Sequence, residues 1–269
     1  MSIRTDPRAP TLAQGFAVQC RVVGALLIRE MATRYGRSNV GFLWLFLEPM
    51  LFTVTVTALW ATVRDTGAHV GVPIAGMTLT GYSCVLLWRN SASRCMKAIQ
   101  PNRALLHHRN VKVIDLFGAR LLLELAGATT SFMVLALLFY VMGWLGAPVN
   151  LLPMVTAWAM LAWFSAGLGT LLGAASERSE LVEKIWRPLS LVLFILSGPA
   201  FMVDWLPPPM REAVLWVPMV HFVEMLRGGF FGPIVTVHYD MAYMLSWCLG
   251  LSLLGVAASR IITRDTALE

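Results

Sequence analysis

The chain has 269 residues, of which 57% are hydrophobic and only 13% are charged, and its mean hydropathy is +0.68. Soluble domains carry about a quarter charged residues, so this composition excludes an ordinary soluble fold. The net charge of +6 could indicate nucleic acid, but the basic residues follow the loops, and no nucleic-acid partner is expected. Residues 125–176 contain no Lys, Arg, Asp or Glu, which is room for two membrane spans of about 20 residues each.

Taken in chain order, the apolar segments predict an all-α integral membrane protein with six transmembrane helices. They cover about 41–63, 70–88, 125–144, 151–175, a fifth segment that begins near 188 and ends before 204, and 241–259. The predicted domains are a cytoplasmic N-terminal segment (1–40), a transmembrane domain (41–262) and a cytoplasmic tail (263–269).

The stretch before the first span has the spacing of an amphipathic helix. Its apolar residues recur every three or four positions, at Leu12, Phe16, Cys20, Val23, Leu27 and Met31. Such a helix suits the cytoplasmic membrane interface, with its apolar side at the acyl boundary. The alternative is an ordinary helix that packs on the other spans.

The basic residues predict the orientation of the spans. With the N-terminus inside, 18 Lys and Arg lie on the cytoplasmic side and three, Arg64, Arg211 and Arg227, on the other. Cytoplasmic loops carry the excess of Lys and Arg, so both termini are predicted to be cytoplasmic. The polar first eleven residues do not have the pattern of a signal peptide.

Between residues 198 and 233 helix breakers and charges interrupt the apolar sequence. Non-helical backbone at membrane depth is tolerated only where it is buried in protein or lines a wet cavity. We therefore predict short re-entrant helices between spans five and six, the alternative being an extracytoplasmic loop with an apolar patch. The residues that mark this region are Pro199, Asp204, Pro207, Pro218, Glu224 and Arg227.

The sequence contains no GxxxxGK[ST], HExxH, GxSxG or paired-cysteine motif, and its four cysteines lie far apart. We expect no catalytic residue, metal or cofactor on this chain, and no enzyme activity by itself. A membrane-embedded transferase would need an acid–base pair, but the only candidates, Asp204, His221, Glu224 and His238, are scattered around breakers. A membrane scaffold without transport activity remains a further alternative.

Three blocks of residues resemble the permeases of type 2 ABC exporters for cell-surface polysaccharides. They are Ile28–Met31 with Arg34–Ser38, Gly41, Trp44 and Leu47–Pro49; Asn102–Leu106 with Val111, Lys112, Asp115, Arg120, Leu123 and Glu124; and Ser197, Gly198, Leu206–Pro208, Trp216–Pro218, His221, Glu224 and Arg227–Phe231. The first block also fits O-antigen or teichoic-acid permeases, whereas the second favours the capsule-export permeases. One departure is Val217, where the family pattern suggests Asn.

The resemblance implies a homodimer in the bacterial inner membrane, with two copies of a separate ABC ATPase that binds ATP and Mg. It also implies a periplasm-spanning copolymerase-type adaptor and an outer-membrane polysaccharide channel. The expected substrate is a capsular polysaccharide on a glycolipid anchor, and the alternatives are O-antigen, teichoic acid or a small drug.

Two groups of basic residues are candidate sites on the cytoplasmic side. We expect 102–112 to form a helix that docks on the ATPase, through Asn102, Arg103, Leu105, Leu106 and Lys112; the alternative is a solvated loop that only sets topology. A guanidinium can hold phosphate through two bonds, so Arg29, Arg34 and Arg37 could receive the headgroup of the substrate lipid. Attraction to bulk anionic lipid is the alternative.

The fourth span carries candidate residues for the translocation path and for helix contact. Trp158, Trp163 and Phe164 could offer aromatic walls to a sugar chain, although interfacial anchoring is the commoner role of tryptophan. Gly169 and Gly173 form a small-xxx-small pair, which predicts a close approach to another helix.

Overall fold

A computed structural model describes residues 12–35, 43–63, 71–108 and 111–265. The described residues form ten α-helices and no strand. The helices are α1 (Leu12–Tyr35), α2 (Trp44–Val63), α3 (Ile74–Met96), α4 (Arg103–His108), α5 (Val113–Val141), α6 (Leu151–Arg178), α7 (Glu180–Leu196), α8 (Pro208–Val214), α9 (Pro218–Phe231) and α10 (Met241–Asp265). The predicted all-helical fold is confirmed.

Within the described ranges, four helices are long and apolar enough to cross a membrane: Trp44–Thr62, Val113–Val141, Leu151–Arg178 and Met241–Thr263. They correspond to the first, third, fourth and sixth predicted spans. A fifth candidate is the pair Pro208–Val214 and Pro218–Ile234, which is bent by 106° at its break. The second and fifth predicted spans correspond to α3 and α7, which do not meet these criteria, so the count of six stays a prediction.

Helix α3 lies at the centre of the helical bundle, and 17 of its 23 residues are buried. Its polar residues face other helices rather than the membrane surface of the bundle, because helices α2, α5, α6 and α9 surround it. The hydroxyls of Thr78 and Thr80 donate to carbonyl oxygens one turn earlier in the helix, at Ile74 (2.9 Å) and Gly76 (2.8 Å). Burial inside the protein therefore explains why the central helix is less apolar than its neighbours.

Helix α6 approaches α3 through the predicted glycine pair. A Cβ atom at Gly169 would lie 3.1 Å from Cys95 Sγ, and one at Gly173 would lie 3.0 Å from the Cys95 carbonyl oxygen and 2.7 Å from the Phe117 ring. Those distances leave almost no room for a side chain. The prediction that this pair permits close helix contact is confirmed, with α3 and α5 as the neighbours.

Helix boundaries differ from the predicted spans where charges enter the helices. Helix α5 begins at Val113, well before the predicted start at 125. The predicted start was too late because the first turns of this helix carry the charged residues Asp115, Arg120 and Glu124. Helix α7 begins at Glu180 and contains Pro188, near which the fifth span was predicted to start. An apolar run marks only the uncharged part of a helix that continues beyond it.

Helix α1 packs against α5, but not through the whole predicted apolar face. Its buried residue is Leu26, which contacts Leu116 and Ala119. Phe16 is 69% exposed and Cys20 is also exposed, so the N-terminal part of this face does not pack on the protein, and its predicted place at the membrane interface stays a prediction. Polar contacts described below also hold this part of the helix against the protein.

Two glycines with positive φ allow the turns around α8 and α9, at Gly198 (φ 79°) and Gly232 (φ 62°). Helix α9 buries 12 of its 14 residues. Its Phe230 and Gly229 carbonyls accept hydrogen bonds from the backbone N–H groups of Val149 (3.1 Å) and Asn150 (2.9 Å). The end of the bundle opposite α4 is therefore closed by a buried helix.

Candidate functional site

The segment between α3 and α5 is helical over only part of the predicted docking element. One turn of 3-10 helix (Gln100–Asn102) leads into α4, which ends at His108. Lys112 is extended and caps α5, and its backbone N–H donates to Asp115 Oδ2 at 3.0 Å. The predicted helix over 102–112 is therefore too long at its C-terminal end, because Lys112 belongs to the cap of the next span.

Asn102 and Arg103 attach this segment to two other helices. The buried Asn102 side chain donates to the Ala98 carbonyl (2.8 Å) and accepts a hydrogen bond from Arg29 Nη1 of α1 (2.8 Å). Arg103 is 63% exposed and forms an ion pair with Glu177 of α6. The segment thus contacts α1 on one side and α6 on the other.

The two leucines of the predicted docking group are half-buried. Leu105 and Leu106 pack beside Leu26 of α1 and Leu116 of α5. The Lys112 side chain is exposed. Among the side chains of this segment that the structure describes, Arg103, Lys112 and the outer faces of the leucines are therefore available to a partner protein.

Of the three arginines predicted to hold a lipid headgroup, only Arg29 has a side chain within the described residues, so the grouping stays a prediction. Arg29 is exposed and its guanidinium contacts Asn102. The Arg34 side chain and the whole of Arg37 lie outside the described residues. The contact between Arg29 and Asn102 joins two predicted sites that the sequence analysis treated separately.

The three aromatic residues of the predicted path have different surroundings. Trp158 lies in an apolar groove of about 730 Å³ between α5 and α6, where its Nε1 donates to Thr129 Oγ1 at 2.9 Å. Trp163 is 40% exposed and donates to Ser252 of α10 (2.9 Å), whereas Phe164 is buried against Phe222 of α9. Within a single chain these residues do not line one cavity.

Arg227 is the most buried charged residue of the predicted re-entrant region. It has no exposed surface, and Nη1 donates to the Phe201 carbonyl (2.6 Å) while Nη2 donates to the Pro199 carbonyl (3.2 Å). Its Nε lies 3.4 Å from Thr80 Oγ1 of α3. One guanidinium therefore joins α9 to the turn after Gly198 and to the central helix.

Glu224 lies one turn before Arg227 and is equally buried. Its carboxylate accepts hydrogen bonds from the backbone N–H groups of Val203 (3.3 Å) and His238 (3.2 Å), and Oε1 lies 3.9 Å from Arg227 Nη1. The two proline residues nearby begin helices: Pro207 is the N-cap of α8 and Pro218 is the first residue of α9. These contacts give Glu224 and the prolines structural roles.

The remaining polar residues of this region do not form a catalytic pair in the described part of the chain. Asp204 Oδ1 lies 3.2 Å from His238 Nε2 and 3.5 Å from Arg211 Nη2. His221 Nδ1 accepts from the Asp240 backbone N–H (2.9 Å), so Nε2 carries the proton and donates to the Leu215 carbonyl (2.8 Å). Both ring nitrogens are occupied by backbone contacts. The described residues contain no cluster of three or more possible metal ligands.

Sequence reasoning did not identify Glu30, Arg94 or Glu177 as site residues. Glu30 pairs with Arg120, and Glu177 pairs with Arg103. Arg94 pairs with both Glu124 and Glu48. Arg94 was counted only as a topology signal, whereas Arg120 also belongs to the second of the three resembling blocks. Glutamates near the ends of several apolar segments were the available signal, because charges near membrane depth require partners.

The ABC-2 type transporter family matches residues 21–231. The capsule polysaccharide export inner-membrane protein CtrC of Neisseria meningitidis serogroup A is 41% identical over 244 residues, which cover 91% of this chain and 92% of that protein. BexB of Haemophilus influenzae, with the same description, is 39% identical over 246 residues, again 91% and 92% of the two chains. The polysialic acid transport protein KpsM of Escherichia coli is 28% identical over 255 residues, 94% of this chain and 97% of that one.

Proposed function

Because this chain belongs to the ABC-2 type transporter family, and within it to the capsule polysaccharide export inner-membrane proteins, we propose that it is the membrane-spanning subunit of an exporter of capsular polysaccharide. The observation that carries the proposal is identity of 41% across almost the full length of both chains. The four apolar spans support a location in the bacterial inner membrane.

The proposed topology has six spans, formed by α2, α3, α5, α6, α7 and α10, with both termini in the cytoplasm. Helix α3 is long enough, since its 23 residues rise about 34 Å, and its polar groups are satisfied inside the protein. The 106° bend between α8 and α9 supports their assignment as re-entrant helices. In this topology α1 lies at the cytoplasmic interface, residues 1–40 and 263–269 are cytoplasmic, and 41–262 form the transmembrane domain.

Energy for export comes from a separate protein in this proposal, because the sequence contains no P-loop. A homodimer of this chain would bind two copies of an ABC ATPase, which hold ATP and Mg, and the chain itself would not be an enzyme. The proposed docking element is the segment 100–112, called the α4 segment below, whose exposed residues include Arg103 and Lys112. A periplasm-spanning adaptor and an outer-membrane channel complete the proposed assembly.

The substrate of the proposed exporter is a polysaccharide with a glycolipid anchor. Arg29, together with Arg34 and Arg37, remains the proposed contact for the anchor phosphate, and Trp158, Trp163 and Phe164 remain proposed path residues. The groove beside Trp158 supports contact with an apolar chain more directly than contact with sugar hydroxyls, because its lining is almost entirely carbon.

Deletion of the gene in its own encapsulated host tests the proposal. The expected result is loss of surface capsule, seen by immunostaining, with accumulation of the same polymer inside the cell and recovery when the gene is restored. Unchanged surface capsule would contradict the proposal. Retained capsule with loss of O-antigen or teichoic acid would favour the alternative polymer.

A further inference from the structure

Two neighbouring residues of α1 contact different parts of the protein. Arg29 Nη1 donates to Asn102 Oδ1 at 2.8 Å, and Asn102 directly precedes α4. Glu30 Oε1 lies 2.9 Å from Arg120 Nε of α5, as an ion pair that is not aligned as a hydrogen bond. One turn of α1 therefore touches both the proposed docking segment and the first turns of a span.

A chain of charges continues from Arg120 to α2. Arg120 Nη1 donates to the Arg94 carbonyl of α3 at 2.6 Å. The Arg94 guanidinium then lies between two carboxylates, 3.6 Å from Glu124 of α5 and 3.8 Å from Glu48 of α2. We call this set the arginine–glutamate chain: Glu30, Arg120, Arg94, Glu124 and Glu48. It joins helices α1, α2, α3 and α5.

Because several of these side chains are buried, loss of their contacts is energetically unfavourable. The side chains of Arg120 and Glu124 are only 11% and 7% exposed, whereas Glu48 is 52% exposed. An uncompensated buried charge is strongly unfavourable. If α1 moves, Arg120 must either follow Glu30 or lose its charged partner and keep only the Arg94 carbonyl, so a displacement at one end of the arginine–glutamate chain changes the contacts along it.

The arginine–glutamate chain ends at Glu48, beside a proline inside helix α2. Glu48 directly precedes Pro49, which lies inside the helix and has no N–H to complete the helical hydrogen bond. Proline is a common site of helix bending. Leu45, four residues before Pro49, packs closely against α5, because a Cβ atom at Gly127 would lie 3.0 Å from the Leu45 side chain. The contact at Glu48 thus acts on the residue where α2 can change direction.

We infer that α1 is a transmission element, which carries movement of the α4 segment to the first span through the arginine–glutamate chain. The inference rests on the proposed function, because it takes α4 as the segment that the ATPase moves. It assigns Glu30, Arg120, Arg94 and Glu48 as positioning residues for transport. None of them needs to contact the polysaccharide.

A double-mutant cycle on Glu30 and Arg120 tests this inference. The chain is expressed with its ATPase in the deletion host, and surface capsule is measured beside ATP hydrolysis by the purified complex. Glu30→Gln and Arg120→Gln should each lower export per ATP hydrolysed by about two- to thirtyfold. The double variant should lose no more export per ATP than the more impaired of the two single variants, because both substitutions break the contact between Glu30 and Arg120.

Two further variants keep the test independent of folding. Arg94→Lys retains the positive charge but cannot bridge two carboxylates as the guanidinium fork does, so it should lower export per ATP at normal membrane abundance. Glu180→Gln is the matched control, because Glu180 is 89% exposed and pairs only with Lys184 of its own helix among the contacts described. This variant should export at the normal rate.

Normal export per ATP in Glu30→Gln and Arg94→Lys would overturn the inference, as would losses in the double variant that multiply. Either result leaves the proposed function intact, since the unaltered chain would still restore capsule to the deletion host. Failure of the unaltered chain to restore capsule would instead contradict the proposed function.

Discussion

At the scale of single residues, Arg227 explains how irregular backbone is tolerated beside the central helix. The Pro199 and Phe201 carbonyls lie outside any helix, and the Arg227 guanidinium supplies their hydrogen-bond donors. Buried backbone polar groups must be paired. Glu224 supplies the balancing negative charge and holds the Val203 and His238 backbone N–H groups in turn. The pair therefore stabilises the predicted re-entrant region from inside the protein.

Replacing Arg227 with Leu should destabilise the protein by about 3–5 kcal/mol, because Glu224 would lose its buried partner and the Pro199 and Phe201 carbonyls would lose their donors. Thermal unfolding of the purified protein in detergent measures the change. Arg211→Leu is the matched control, since Arg211 is 32% exposed and its pair with Asp204 should contribute at most about 1 kcal/mol. Equal effects of the two substitutions would contradict a structural role for Arg227.

A second residue-scale prediction concerns Gly81 of α3. A Cβ there would lie 2.6 Å from the Pro199 carbonyl oxygen and 2.8 Å from Arg227 Nη2. Gly81→Ala should therefore cost about 1–3 kcal/mol of stability through overpacking. In Gly118→Ala of α5 the added Cβ meets no atom within 4 Å, so the same substitution should be neutral or slightly stabilising. Detergent melting of the two variants distinguishes them, and equal melting temperatures would contradict the close contact.

At the scale of elements, α4 depends on its neighbours for stability. A helix of six residues is too short to be stable alone. It is held by the Asn102 contacts, by the pair between Arg103 and Glu177, and by the half-buried leucines. Because these contacts involve α1, α5 and α6, movement of α4 must act on several helices together.

Reversal of Arg103 to Glu should uncouple ATP hydrolysis from export while the protein still inserts in the membrane. Because Arg103 is 63% exposed, its pair with the less exposed Glu177 should contribute only about 1 kcal/mol to stability, so loss of this contact is a minor effect. We expect that Arg103→Glu combined with Glu177→Arg does not restore export, because docking needs the positive charge on α4. Restoration of surface capsule by the double reversal would show that the intramolecular pair, rather than docking, is what Arg103 provides.

Sequence patterns predicted the elements better than their contacts. Apolar runs identified four of the spans, and Gly198, Pro207 and Pro218 identified the breaks around α8 and α9. Helix α3 was predicted only from 70–88, because its continuation to Met96 carries Arg89 and Arg94. The contact of Arg29 with Asn102 joins residues 73 positions apart. No spacing rule reports such a pair, since it depends on how helices α1 and α5 pack.

At the scale of the whole molecule, the two ends of the helical bundle have different chemistry. The end with α1 and α4 carries exposed basic residues, among them Arg103 and Lys112, and the arginine–glutamate chain. The opposite end is closed by α9, whose charged residues Glu224 and Arg227 are buried. This asymmetry agrees with the predicted excess of basic residues on one side of the membrane. The proposed ATPase would therefore meet a basic surface at this end of the bundle.

Accessibility of single cysteines in intact cells tests this account most directly. In a Cys20→Ser background, where the described remaining cysteines are buried, Lys112→Cys and Glu212→Cys are each treated with a membrane-impermeant thiol reagent. The side chains of Lys112 and Glu212 are both exposed, and they lie at opposite ends of the bundle. We predict that Glu212→Cys reacts in intact cells and Lys112→Cys only after the inner membrane is permeabilised. Labelling of Lys112→Cys from the periplasm would place the α4 segment on the wrong side for an ATPase and contradict the proposed exporter.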